Sequence, residues 1–161
     1  MRRALCETLN YFCNEPRDLV LLTGDLGFGT FEEFKLANPN RYINVGIMEQ
    51  SLVNIAAGIS SQGYLPVVYS IASFLTSRSY EQIKLNCGYN DLQMILIGAG
   101  GGLTYEKSGA THHSNEDFAL MGTIPGMQLF CPSTPSQIKS IFGLILNNRT
   151  SAYIRIGKYG E

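Results

Sequence analysis

The sequence predicts an α/β domain, a three-layer αβα sandwich built on a mainly parallel sheet. Three observations predict it. Short apolar runs of strand length alternate with segments of helical periodicity; the runs are continuously apolar, as in strands buried on both faces; and glycine-rich or polar turns follow the strands. A chain of 161 residues fits one domain with a core of its own, so residues 1–161 are read as a single unit.

The elements follow in order. Leu5, Leu9 and Phe12 lie three to four apart and predict a helix over 2–15, ended by Asn14 and Pro16. Leu19 to Thr23 reads as a buried strand, followed by the turn Gly24-Asp25-Leu26-Gly27-Phe28-Gly29. Thr30 to Ala37 predicts a short helix with Phe31 and Phe34 inward, closed by Pro39. Arg41 to Val45 is a strand, Gly46 turns the backbone, and a helix follows whose apolar face is Leu52, Ile55, Ala56 and Ile59. Gly63 stops that helix before the strand Leu65 to Ile71, where Pro66 is tolerated near the start. Ser73 to Cys87 is expected as one helix with Tyr80, Ile83 and Cys87 in register, and Leu92 to Ile97 as the next strand.

A long loop from Gly98 to about Asn115 is of a length that usually carries function. A helix over 116–122, a strand over 127–131 and a well-marked helix complete the unit. Thr134, Pro135 and Gln137 make a capping box with proline at the first helical position, ahead of the stripe Ile138, Ile141, Phe142, Ile145 and Leu146. Asn147-Asn148 ends that helix and Ala152 to Ile156 is the last strand.

Composition bounds the function. A formal charge of −1 gives no electrostatic footprint for nucleic acid or anionic membranes. No segment approaches the ~20 apolar residues of a membrane span, and nothing at the start resembles a signal peptide, so a cytoplasmic protein is expected. Cys6, Cys13, Cys87 and Cys131 lack CxxC spacing and read as reduced structural thiols. With 16% charged residues, part of the surface is expected to be covered by a partner.

Several motifs are absent. Gly98-Ala99-Gly100 reaches Leu103 where a dinucleotide fingerprint needs glycine, Lys107-Ser108 lacks the glycine of a P-loop, and no G-x-S-x-G elbow exists. His112 and His113 with Glu116 and Asp117 could suggest a metal, but adjacent histidines share no helical face and the distant ligands of such a site are absent, so no metal is assigned to this chain. What remains is a set of polar groups at strand carboxyl ends: Asp25, Glu49, Ser70 and the loop from Gly98 to His113. Glu49 also fits a plainer role, as a first-turn acid favoured by the helix dipole.

An ordered motif set narrows this reading. Leu22-Thr23-Gly24-Asp25-Leu26, Arg41-Tyr42-Ile43-Asn44-Val45-Gly46-Ile47-Met48-Glu49-Gln50, the stretch from Gly58 to Pro66, Ser73 to Ile83, Gly109-Ala110-Thr111-His112-His113, Ile124-Pro125-Gly126-Met127 and Cys131-Pro132-Ser133 resemble, in that order, the pyrimidine-binding domain of transketolases. The matching domain of deoxyxylulose-phosphate synthases is similar. The resemblance runs from about residue 3 to residue 156.

It implies a thiamine-diphosphate-binding fold and a transferase moving a two-carbon ketol unit between sugar phosphates. Glu49 then corresponds to the glutamate that hydrogen-bonds the cofactor's aminopyrimidine, with Phe74 and Tyr80 as packing aromatics and Asp25 and Leu26 near the cofactor. His112 corresponds to a histidine that contacts the donor's hydroxyls and moves protons, Arg155 to a phosphate-binding arginine, and Arg78 to a weaker candidate for that task. Ser108 stands where transketolases carry an aspartate that reads the donor, Ser77 replaces a pyrimidine-side aromatic, and the Gly98 to Gly102 run replaces a substrate-binding histidine. Gly24-Asp25-Leu26 lacks the GDG…N pattern that holds Mg²⁺, so the resemblance implies a partner domain or subunit carrying the diphosphate and Mg²⁺, absent from this chain together with the family's C-terminal domain. A homo-oligomer, dimeric in the family manner, is expected, and the chain alone is expected to be inactive.

Two other readings stay open. Pro125-Gly126-Met127 and Pro132-Ser133-Thr134-Pro135 also resemble β-subunits of 2-oxoacid dehydrogenases, although Thr111-His112-His113 favours the transketolase side. A non-catalytic module that has kept the fold is the third.

Overall fold

A computed structural model describes residues 1–13 and 18–157. Among these, six strands form one sheet: β1 (Leu19–Thr23), β2 (Tyr42–Asn44), β3 (Leu65–Ile71), β4 (Ile95–Ala99), β5 (Gln128–Phe130) and β6 (Ala152–Ile156). Their order is β2-β1-β3-β4-β6-β5 and every pairing is parallel. The predicted sheet is therefore wholly parallel, and all strand carboxyl ends share one rim.

The continuous apolar runs are explained by helices on both faces. On one side α1 (Arg2–Phe12), α2 (Glu32–Ala37) and α7 (Pro135–Asn148) cover Leu19, Leu21, Val67, Ile95, Ile97 and Ile154. On the other, α3 (Glu49–Ser61), α4 (Ala72–Thr76), α5 (Tyr80–Ile83) and α6 (Asp117–Gly122) cover Val20, Leu22, Val68, Leu96 and Tyr153. Alternate residues of each strand enter opposite cores, as the twofold repeat of a strand requires. The predicted capping box of α7 is present, Phe31 and Phe34 are buried, and Gly63 ends α3 at φ +87°.

Several expectations need correction. The first helix ends at Phe12, and its predicted stop at Asn14 and Pro16 lies outside the described residues. Ile55 is 40% exposed: the buried stripe of α3 is Leu52, Val53, Ala56 and Ala57, one position round from the predicted face. The single helix expected over 73–87 is three pieces, because the chain leaves helical geometry at Ser77-Arg78-Ser79 and resumes as α5, then as a π-helical turn from Lys84 to Tyr89. Ile83 and Cys87 still face the core, so the apolar spacing reported side-chain direction correctly while missing the break.

Strand β4 starts at Ile95 rather than Leu92. The Ser151 hydroxyl donates to the Leu92 carbonyl and accepts the Met94 N–H, which satisfies these groups outside the ladder. The edge strands β2 and β5 are shorter than expected by two residues each. The long loop carries two 3₁₀ turns, Glu106–Ser108 and Ala110–His112, and its ends are joined by the Gly102 and Ser114 bridge.

Cys6, Cys13 and Cys87 are buried, whereas Cys131 is exposed. Burial pushes all three buried thiols up, Cys87 to about 11. A thiol reacts as its thiolate, so both access and ionisation protect them. An aromatic disulfide reagent at pH 8 should therefore label one thiol per native chain rapidly and all four after denaturation. Rapid labelling of two or more native thiols contradicts this packing.

Candidate functional site

The sheet changes winding direction beside β1, which pairs with β2 on one side and β3 on the other. In open parallel sheets such a reversal opens a crevice at the carboxyl ends of the flanking strands. Glu49 fills it. Strand β2 ends at Asn44, Gly46 turns at φ +79°, and α3 begins at Glu49, whose side chain is 1% exposed. The Ser70 hydroxyl of β3 donates to Oε1 at 3.4 Å, and a side chain at Gly24, just beyond β1, would lie 4.0 Å from the same oxygen.

Oε2 receives Arg78 Nη1 at 2.6 Å. Arg78 occupies the break between α4 and α5 that apolar spacing does not reveal, and its guanidinium carbon lies 4.2 Å from the Phe74 ring centroid. Gln50 Nε2 donates to the Arg78 carbonyl at 3.2 Å, pinning the break against α3. The Phe74 ring meets His112 edge-on at 4.8 Å, and Tyr105 tilts against the same imidazole at 5.9 Å. Thr111 Oγ1 is 3.0 Å from His112 Nδ1, and the Ser73 hydroxyl donates to the Thr111 carbonyl, fastening the His112 turn to α4. Glu49, Arg78, Phe74 and His112 thus form one contiguous train across the rim.

Asp25 lies beside it in left-handed geometry at φ +59°, uncommon for a residue other than glycine but tolerated best by Asp and Asn. Asn44, quoted in the motif before Glu49 but given no role there, holds it in place. Its Oδ1 accepts the N–H groups of Asp25 and Gly46 at 2.9 and 3.0 Å, and its Nδ2 donates to Asp25 Oδ1 at 3.0 Å. Asn44 therefore clips the β1 turn to the turn that presents Glu49. The detectable signal was an asparagine at a strand end two residues before a glycine, the spacing of an Asx turn.

The other predicted residues have partners or surroundings of their own. Tyr80 is half-buried and its hydroxyl pairs with Thr123 Oγ1 at 2.6 Å; no hydrogen bond, ion pair or ring contact joins it to Glu49 among the described residues. Leu26 packs against the core beneath the rim. Ser108 is exposed on the 3₁₀ turn, and Ser77 donates to Glu116.

Arg155 is committed to a second buried carboxylate. Asp117, wholly buried at the start of α6, accepts Arg155 Nε at 2.8 Å, Arg155 Nη2, and the Tyr153 hydroxyl at 2.6 Å. The bond to Asp117 pushes Arg155 further up against the opposing effect of burial, while burial, followed by the charge of Asp117, pushes the Tyr153 phenol up. Phe118 closes the cluster, 4.4 Å from the guanidinium carbon. A side chain at Gly101 would collide with the Arg155 stem, so the glycine run of this loop makes room for that arginine. From the sequence Asp117 is only an acid near His112 and His113 at a helix start, because nothing local ties it to Arg155.

Removing one partner of a buried ion pair strands the other charge. Asp117→Ala should cost about 3–5 kcal/mol of unfolding free energy in urea titration, and a loss under ~1 kcal/mol contradicts the pairing described.

Among the described residues no three His, Cys, Asp or Glu side chains converge as metal ligands, and no helix is long and apolar enough to cross a membrane.

Comparison with known proteins places this geometry in a family. A profile described as "Transketolase, pyrimidine binding domain" matches residues 1–159. The chain is 32% identical over 158 residues to an apulose-4-phosphate transketolase subunit of Phocaeicola vulgatus, covering 98% of this chain and 51% of that protein. It is 31% identical over 157 residues to a 6-deoxy-6-sulfo-D-fructose transketolase subunit of Clostridium sp., covering 97% and 49%. A solved structure described as "Split gene transketolase, inactive beta4 tetramer" superposes with a TM-score of 0.86 at 32% identity, over 99% of this chain and 51% of that one. The chain spans about half the length of the curated relatives it matches. It belongs to the transketolase pyrimidine-binding domain family.

Proposed function

We propose that this chain supplies the pyrimidine-binding half of a thiamine-diphosphate-dependent transketolase that moves a two-carbon ketol unit between sugar phosphates. The observation that carries the proposal is the buried Glu49 carboxylate at the sheet's reversal point, linked through the Arg78 guanidinium to the face of the Phe74 ring. The site already accepts a flat group bearing N–H donors, since a guanidinium lies on Phe74 and donates to Glu49. An aminopyrimidine has the same demands: a ring to stack on and a carboxyl group to share a proton with.

When bound, the cofactor would supply the thiazolium chemistry that makes and breaks carbon–carbon bonds beside a carbonyl. The chain's own residues do the rest. Glu49 Oε2, the oxygen turned from Ser70, would hold the shared proton of the pyrimidine ring nitrogen, and Ser70 keeps the carboxylate oriented through Oε1. Phe74 supports the ring. His112, tied through Nδ1 to Thr111, keeps Nε2 to accept and return a substrate hydroxyl proton. Asp25 lies on the cofactor side, fixed by Asn44, and Leu26 supports its turn from the core. Tyr80 acts at one remove, bracing the α5 segment against α6 through Thr123. Arg155 offers a sugar phosphate its Nη1, the guanidinium nitrogen that Asp117 does not engage, and Ser108, exposed on the loop turn, is assigned to the donor side.

The diphosphate and its Mg²⁺ are assigned to a separate domain or subunit. Two features support a covering partner: Ile47 and Met48, next to Glu49, are 73% and 52% exposed, and the relatives are named as transketolase subunits. The split-gene relative is an inactive tetramer of β chains, which supports both self-association and the need for the other half.

The test is reconstitution with a diphosphate-binding subunit, followed by a coupled assay of ketol transfer from a ketose phosphate to an aldose acceptor. Glu49→Gln is expected to lower kcat roughly 10²–10⁴-fold, the range of a lost proton-transfer group. Equal rates for parent and variant would remove Glu49 from the chemistry.

A further inference from the structure

The partner that the chain itself gives the buried Glu49 carboxylate is Arg78. We propose that Arg78 is a built-in occupant of the pyrimidine position, holding Glu49 and Phe74 until cofactor displaces it, and that it thereby sets cofactor affinity. This rests on Glu49 and Phe74 being the pyrimidine site.

Arg78 satisfies both demands of that site at once. Its planar fork lies 4.2 Å from the centroid of Phe74 while Nη1 donates to Glu49 Oε2 at 2.6 Å. Both contacts are those the ring requires, made with the same oxygen and the same aromatic, so the two occupants exclude each other. Chemistry makes the exchange balanced. A carboxylate that is 1% exposed is costly without a counter-charge, and the guanidinium supplies one; a ring nitrogen that shares a proton replaces it.

Arg78 is also able to leave. Its side chain is 45% exposed, so it enters the crevice from solvent and can return there. A cleft of about 270 Å³ opens on the same side, lined by Ile47, Met48, Gln50 and Ser51 besides the ion pair itself. The backbone need not move, because Gln50 holds the Arg78 carbonyl and the break at Ser77-Arg78-Ser79 frees the side chain from helical neighbours. Displacement is then a rotation of one side chain. Arg155, which loses two guanidinium contacts and a buried carboxylate if it moves, has no such freedom.

The experiment measures thiamine diphosphate binding by isothermal titration calorimetry, at saturating Mg²⁺, to the complex of this chain with its diphosphate-binding subunit. A self-occluded site weakens apparent affinity by the fraction of time it is open, so Arg78→Ala should tighten binding roughly five- to tenfold. Arg78→Lys, which retains the charge but not the stacking fork, should tighten it less. Millimolar methylguanidinium should restore competition in Arg78→Ala and leave the parent unchanged. Unchanged or weaker binding in Arg78→Ala overturns the proposal. If that variant does not assemble, Arg78→Lys decides alone: tighter binding supports occlusion, and equal or weaker binding overturns it. Failure of the underlying reading looks different. A parent complex whose affinity is unmoved by Glu49→Gln loses the pyrimidine site itself, and the Arg78 proposal with it; affinity lost in Glu49→Gln but unimproved in the Arg78 variants keeps the site and sinks only the occupant.

Discussion

A carboxylate buried where the sheet reverses direction governs the layout of the rim. Glu49 stands at the first turn of α3, where the helix dipole favours a negative charge by about 0.3–1 kcal/mol. Taking a carboxylate out of water costs several kcal/mol even after relaxation, so the dipole cannot hold it there unaided. The difference is met by a counter-charge, a hydroxyl and a sheet geometry that leaves room: Arg78, Ser70 and the bare backbone at Gly24. Arg78 comes from the β3–β4 crossover, Ser70 from strand β3 and Gly24 from the turn after β1, and so the position of Glu49 depends on how neighbouring parallel strands and their connections meet at the rim. A first-turn acid with no role beyond the dipole would lie in solvent.

The rim carries two arginine–carboxylate pairs, each with the guanidinium against a phenylalanine. They differ in what would follow if they broke. Arg155 binds Asp117 through Nε and Nη2, Tyr153 adds a third bond, and the arginine side chain is 28% exposed. Arg78 binds Glu49 through one nitrogen and is open to solvent along nearly half its surface. The first is a strut joining β6 to α6; the second is a contact that one ring could replace. Similar residue types therefore serve rigidity at one strand end and exchange at another, and the number of hydrogen bonds separates the two roles.

The elements were legible in the sequence because their signals are local. Apolar segments of strand length between turn and helix signals located six strands, and Thr134 with Gln137 marked the start of α7 at the correct residue. The break at Ser77-Arg78-Ser79 was not legible, since Ile83 and Cys87 remain in apolar phase across it and periodicity records facing rather than backbone continuity. That one miss hid the pairing of Arg78 with Glu49. Asp117 and Arg155 are 38 residues apart, and no pattern along the chain announces such a pair. The ordered motif set named Glu49, Phe74 and His112, and the fold brings these into one train; Tyr80, named with them, turns to Thr123 because the break rotates α5 away from α4.

On the proposed reading, the exposed apolar residues beside Glu49 and the solvent-facing Arg78 belong to one problem. Ile47 and Met48 stand in water at the mouth of a site whose proton sharing needs a low dielectric. A second chain that covers them removes water from Glu49 and also takes away the solvent into which Arg78 retreats. Cofactor entry must then precede full closure, or else Arg78 must find a polar refuge at the interface, and Gln50 and Ser51, lining the adjacent cleft, offer one on this chain. Assembly and loading are thereby coupled through a single side chain: a partner that closes before Arg78 has left would trap the guanidinium on Glu49, where its buried charge pairing is strongest and its displacement slowest.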